Sequence, residues 1–307
     1  MNVKEIRELL PKASIKDFDD IVNGVVLGAS NHIKMIIDMY VKIAEENDKQ
    51  EAIDKIDKIG EYFKETRGKS SYAIVIALNK VEKRIKESSI ADIKETVSEA
   101  RKSYYAEADD DLKKLLTYTK RLMKNYHSAM IFDYSSTVEK AICNIDDVLD
   151  VYIPESRVID GGYPFIKKIV EKGHKVHFVA DAAMLSVLDK VDIVFIGAET
   201  FYPDGTAFNT VGSDILAELC IQHNVPYYVL TPLLKCDIRA IYGIYKETLK
   251  TNLRERLAKD WPEDLKQKVD FTSIELVGVD PKLITGYVTE KGILRTSDLY
   301  AIVTKED

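Results

Sequence analysis

A chain of 307 residues exceeds the roughly 100 to 200 residues of a typical domain, so two structural units are expected. Its 46% hydrophobic and 31% charged residues supply a full core and a solvated surface, and no apolar run, Val191 to Ala198 included, approaches the roughly 20 residues of a bilayer span. A net charge of −7 argues against direct nucleic-acid binding, and three cysteines (Cys143, Cys220, Cys236) without a Cys-x-x-Cys spacing argue against a disulfide framework or a zinc knuckle. The opening Met1-Asn2-Val3-Lys4-Glu5 has no signal-peptide apolar core, so a cytoplasmic protein without a membrane partner is expected.

From Ile6 to about Asn125 apolar residues recur at helical spacing, as in Ile33, Ile36, Ile37, Tyr40, Val41 and Ile43-Ala44, between Lys/Glu-rich faces. This pattern predicts a helical domain over 1–125 with four or five helices. Breaks are expected at Pro11, Asn47-Asp48 and Arg67-Gly68, and the acidic run Asp109-Asp110-Asp111 reads as the start of a long helix through Leu112, Leu115, Leu116 and Leu122.

After Tyr126 the chain alternates short apolar runs with helical stretches. The runs are Ala129 to Phe132, Val148 to Ile153, Val176 to Ala180, Val191 to Gly197 and Pro226 to Thr231, with further strand or coil at Ser273 to Val279 and Ile284 to Val288. Continuous apolarity is what a parallel strand covered on both faces requires. The expected class is α/β: the helical domain is followed, over 126–307, by an open doubly wound, mostly parallel Rossmann-like sheet domain. Such sheets bind ligands beyond the carboxyl ends of their strands.

Those strand ends carry the candidate chemistry. Phe132-Asp133-Tyr134-Ser135-Ser136-Thr137 places three hydroxyls at a helix start, an anion cradle or an ordinary N-cap. Glu155-Ser156-Arg157 precedes Gly161-Gly162, where an Arg can clamp phosphate and a Gly pair admits close backbone. Asp181 is suited to cap a helix or hold a ligand hydroxyl. Glu199 ends the next run, a turn follows at Asp204-Gly205, and Asn209 to Ser213 reads as the opening of a helix. Lys235 follows the fifth run and could counter a ligand anion or simply snorkel at the surface.

Ser135-Ser136, Glu155-Ser156-Arg157, Asp181-Ala182-Ala183, Gly197-Ala198-Glu199, Asn209 with Gly212, and Lys235 occur in the order and spacing of one known family. So do the ending Thr289-Glu290-Lys291-Gly292-Ile293-Leu294 and the segment Glu65-Thr66-Arg67-Gly68-Lys69-Ser70. The sequence resembles the translation initiation factor 2B alpha/beta/delta-type family, which includes methylthioribose-1-phosphate isomerase and ribose-1,5-bisphosphate isomerase.

The resemblance implies a small phosphorylated ligand, a homodimer or higher homo-oligomer, and neither cofactor nor metal. Ser135, Ser136, Arg157, Asp181, Asn209, Lys235, Gly28 and Arg67 are then the ligand-binding positions. Isomerases of the family shuttle a proton between adjacent carbons with a Cys and an Asp. The matching residues here are Asp133 and Glu199, the latter as in the regulatory subunits. The isomerases' Arg-Gly-Ala corresponds to Leu27-Gly28-Ala29, and their Asn-Lys to Asn209-Thr210.

A regulatory sugar-phosphate or nucleotide binder without standard isomerase activity is therefore the first expectation. The alternatives are a sugar-phosphate isomerase in which Asp133 and Glu199 are catalytic and share a proton, and a plain scaffold.

Overall fold

The computed structural model describes residues 2–26, 28–246, 248 and 250–305, which divide into two compact units: Met1–Asp110 with Leu234–Asp237, and Asp111–Leu233 with Ile238–Asp307. Six α-helices start in the first unit among the described residues: α1 (Val3–Leu9), α2 (Ile15–Val22), α3 (Ala29–Glu46), α4 (Lys49–Ser70), α5 (Tyr72–Glu87) and α6 (Ile93–Leu122). That is one more than the upper expectation, because the short α1 and α2 flank Pro11 separately. Asn2 closes a capping box with Glu5 at the start of α1, and Asp48 caps α4 by accepting from Glu51 N at 3.0 Å.

Two expected boundaries are displaced. α4 runs through Arg67-Gly68 to Ser70, since Gly68 is buried against α5: a Cβ there would lie 2.5 Å from Val75 Cγ2. The acidic run 109–111 lies inside α6, whose real start is set by Asp92, accepting from Lys94 N at 3.0 Å. The expected periodicity builds the core, where Ile33, Ile36, Ile37, Tyr40, Ile43 and Ala44 are all buried. At its centre Glu82 accepts from Tyr40 Oη at 2.8 Å and from Lys64 Nζ at 2.8 Å, so a carboxylate removed from water keeps charged and neutral partners.

In the second unit the five apolar runs form β1 (Ser128–Phe132), β2 (Asp150–Pro154), β3 (Lys175–Val179), β4 (Ile193–Ile196) and, after the β5 (Thr200–Phe201) and β6 (Ala207–Thr210) hairpin, β7 (Tyr227–Leu230). Beyond them come β8 (Lys250–Asn252), β9 (Thr272–Ile274), β10 (Leu276–Val279), β11 (Gly286–Thr289) and β12 (Gly292–Leu294). The main sheet has seven strands in the order β12-β11-β7-β4-β1-β2-β3, parallel except for the β11–β12 hairpin. This is the expected α/β class. β1 is buried at all five residues, as a central strand covered on both faces must be. Leu115, Val138, Ile142, Phe165 and Ile169, from α6, α7 (Ser136–Cys143) and α8 (Ile166–Glu171) with its preceding turn, pack with Ala129 and Ile131 in one core.

β1 pairs with β2 on one side and β4 on the other, so the chain leaves β1 in one direction and returns on the opposite side. That reversal opens a crevice beyond the carboxyl ends of β1 and β4. The amino ends of the same two strands are locked by Asp192, which accepts from His127 N at 2.8 Å and Ser128 N at 2.9 Å.

Candidate functional site

Asp133 is the first residue past β1, at this reversal. Its backbone takes a left-handed φ of 60°, a conformation Asp tolerates better than most residues, and its side chain is 5% exposed. The carboxylate is held from two other strand ends: Ser156 Oγ donates to Oδ1 at 3.1 Å, and Thr210 Oγ1 donates to Oδ2 at 2.8 Å. Gly161 lies so close that any Cβ would collide with Oδ1. Burial raises the Asp133 pKa above the ordinary carboxylate value. The donors Thr210, Ser156 and the Tyr134 N–H pull it down without cancelling burial, and the charge of Glu199 pushes it further up. Glu199, half-buried just beyond β4, is thus electrostatically coupled to Asp133. A carboxyl held this way is suited to accept and return a proton closer to neutrality than a free Asp.

The loop after β2 is shaped from below. Asp181, rather than capping the turn that leads into the short helix α9 (Met184–Val187), accepts from Ser156 N and Arg157 N, each at 2.8 Å. Ser156 takes φ 50° and aims its hydroxyl at Asp133. Arg157 is exposed at the rim, with Nη1 3.5 Å from Asp160 Oδ1 and Nη2 donating to the Arg256 carbonyl at 3.3 Å.

Ser135 caps α7, accepting from Val138 N at 3.4 Å, while Ser136 is exposed at the first helical position. Gly197 admits Ser135 at the end of β4: a Cβ there would lie 2.5 Å from Ser135 Cβ. Asn209 lies within β6, opposite Val277, and not in a helix start; its Nδ2 donates to Ser213 Oγ at 3.1 Å, where α10 (Ser213–His223) begins after Gly212.

The structure therefore groups Asp133, Ser135, Ser136, Arg157, Asp181, Glu199 and Asn209 along the strand ends of the second unit. Gly28, Arg67 and Lys235 belong to the first. There Gly28 turns into α3 with φ 88°, and Arg67 Nη2 closes the end of α2 by donating to the Ile21 carbonyl and, at 2.9 Å, to the Val22 carbonyl. Lys235 ends the turn Leu233–Lys235, half-buried. Leu27 lies outside the described residues.

Sequence reasoning passed over Ser156 and Thr210 as functional residues. Their only signal was a hydroxyl beside each quoted motif residue, Arg157 and Asn209.

The chain is 24% identical over 297 residues to a methylthioribose-1-phosphate isomerase from Thermoanaerobacter sp. (strain X514), covering 89% of this chain and 80% of that one. Its fold matches the translation initiation factor eIF-2B of Pyrococcus horikoshii OT3 with a TM-score of 0.74 at 18% identity, covering 93% and 98% of the two chains. It also matches 5-methylthioribose 1-phosphate isomerase from Pyrococcus horikoshii OT3, with a TM-score of 0.70 at 19% identity over 98% and 88%. With residues 29–296 matching the family model, the chain belongs to the Initiation factor 2 subunit family.

Proposed function

We propose that this protein is an aldose–ketose isomerase acting on a phosphorylated pentose of the methylthioribose-1-phosphate or ribose-1,5-bisphosphate type. The observation that carries the reading is the buried Asp133 carboxyl at the β1/β4 reversal, its pKa raised by burial and by Glu199 while two hydroxyls fix its direction. Proton transfer between neighbouring carbons needs one group that takes a proton and gives it back, and a desolvated carboxyl near a second one meets that need. Asp133 carries the proton, and Glu199, whose charge adds to the burial that raises the Asp133 pKa, is the second catalytic carboxylate. Arg157, Ser136 and the loop held by Asp181 receive the phosphoryl group. The relative from Thermoanaerobacter favours this reading over the regulatory one expected first.

The regulatory reading survives as the second, on the replacement of the family's Cys and Asp by Asp133 and Glu199. About 1 Å of displacement in a reacting group can cost about a hundredfold in rate. Incubating the purified chain with 5-methylthioribose 1-phosphate or ribose 1,5-bisphosphate and following the sugar carbons by NMR separates the two. Appearance of the ketose supports the isomerase. Saturable binding with an unchanged sugar supports the regulatory binder, and neither binding nor conversion defeats both.

A homo-oligomer belongs to the same reading. It is supported by Tyr163, Val170 and Phe178, exposed by 72%, 52% and 49% beside the open edge of β3, more apolar surface than an isolated strand edge favours. Light scattering that returns a monomer mass at micromolar concentration would remove it.

A further inference from the structure

Above Asp133, the loop that supplies Arg157 carries a charge arrangement that proton transfer does not use. Asp160 takes a left-handed φ of 54° and immediately precedes Gly161, the residue packed against the Asp133 carboxylate. Its two oxygens face different arginines. Oδ2 lies 2.7 Å from Arg256 Nη1 and Oδ1 lies 3.5 Å from Arg157 Nη1. Arg256 comes from the short helix α11 (Arg254–Leu257), and its carbonyl accepts from Arg157 Nη2 at 3.3 Å, so the two arginines are also tied to each other.

Two guanidinium groups thus share one carboxylate and leave a positive surplus at the rim. The other acids bound to this loop are already engaged: Asp181 accepts two backbone N–H groups and Asp133 accepts from Ser156 Oγ. Arg157 and Asp160 are open to water at 50% and 51% exposure and Arg256 is half-buried at 33%, so the attraction within the exposed Arg157–Asp160 pair is screened and exchangeable. A guanidinium fork donates to a carboxylate or a phosphoryl group with the same geometry, and is attracted more strongly to the one with more charge.

We propose that Arg256 is a second phosphate-gripping residue of this site, acting with Arg157, and that Asp160 is a built-in carboxylate that an incoming phosphoryl group displaces. The identity of the sugar rests on the reading above; the anion site does not. A ligand must outcompete Asp160 for both arginines, so the site selects dianionic phosphate esters over carboxylates or monoanions.

The test titrates the full chain with inorganic phosphate and with 5-methylthioribose 1-phosphate, followed by 31P NMR and calorimetry, in the wild type, Arg256→Ala, Asp160→Asn and the double variant. Asn keeps the left-handed backbone accessible, so Asp160→Asn removes charge without reshaping the loop. Expected are a loss of affinity of about tenfold or more for both probes in Arg256→Ala, a severalfold gain for inorganic phosphate in Asp160→Asn, and disappearance of that gain in the double variant. Wild-type affinity in a folded Arg256→Ala, or weaker phosphate binding in Asp160→Asn, overturns the proposal even if the wild type isomerises sugars. Conversely, if the wild type neither binds nor converts 5-methylthioribose 1-phosphate while Asp160→Asn captures inorganic phosphate through Arg256, the sugar reading falls and the anion site stands.

Discussion

Thr210 Oγ1 donates a 2.8 Å hydrogen bond to Asp133 Oδ2, joining the end of β6 to the end of β1 across the crevice where the sheet reverses. The hydroxyl stabilises the charged form of the carboxyl against the burial that raises its pKa. Thr210→Val keeps the shape and removes the donor. It should raise the Asp133 pKa further, move the acidic limb of the pH–rate profile to higher pH, and cost roughly 1.5–3 kcal/mol of stability at neutral pH, the usual worth of a hydrogen bond to a charged group. A pH–rate profile with urea unfolding at one neutral pH checks all three.

Asp133→Asn should lower isomerisation by at least about a hundredfold, the typical contribution of a positioned acid or base, while the ligand still binds. Its stability has a distinct pH signature. Because the folded-state pKa is raised, the wild-type fold holds a proton that the unfolded chain has released between about 3.8 and the folded value. Wild-type stability therefore falls as pH rises through that window and is level above it, and the Asn variant should lack this fall. Denaturant midpoints measured from pH 4 to 8 in both proteins give the comparison.

His174 titrates with the opposite sign. Its buried Nδ1 accepts from Leu149 N at 3.2 Å, so Nε2 carries the hydrogen given to the Ile142 carbonyl at 3.1 Å, and the ring must be neutral. Burial lowers its pKa. The stability tied to neutral His174 is complete above the unfolded value of about 6.5 and is lost as pH falls below it. His174→Gln should be less stable than wild type at pH 8 and should lose up to one proton of pH dependence below about 6.5. Equal slopes for the two proteins would refute the assignment.

In the helical unit, Gly60 faces the Glu82 network. A Cβ there would collide with Glu82 Oε1 and come within 2.5 Å of Tyr40 Oη. Gly60→Ala should therefore destabilise the chain, although Ala is favoured over Gly by about 1 kcal/mol in a helix interior. Glu82→Ala, which takes the acceptor from the Tyr40 hydroxyl and leaves Lys64 with Asn79 and Glu61, should cost about 1–3 kcal/mol. Thermal unfolding of the two variants, with an ordinary exposed Gly-to-Ala change as reference, measures both.

The strands were legible because a centrally buried parallel strand must be apolar at every position, as β1 is, and no helix of that length reads the same way beside Gly and polar breaks. The start of α6 was not. An acidic triplet is a good helix start by local rules, but Asp109 to Asp111 lie mid-helix, where Asp111 finds Lys114 at 3.8 Å one turn on. Asn209 was placed in a helix opening because its strand partner, Val277, comes from a distant segment.

At the site, Asp133 could be singled out from its strand end. The groups that hold it could not, since Ser156 and Thr210 reach it from 23 and 77 residues away and no local pattern marks which hydroxyl turns inward. Arg256 was invisible for the same reason: it lies in a stretch with no periodic signal and meets Asp160 only in the folded chain.

The left-handed backbone at Asp133 also decides what that position can become. With φ at 60°, Gly, Asn and Asp fit, whereas Val, Ile or Thr would force the strand end open. Directed evolution of this pocket toward a different acid or base therefore has few single steps open to it here. New chemistry would enter more readily through the partners, Ser156, Thr210 and Glu199, than through the residue they surround.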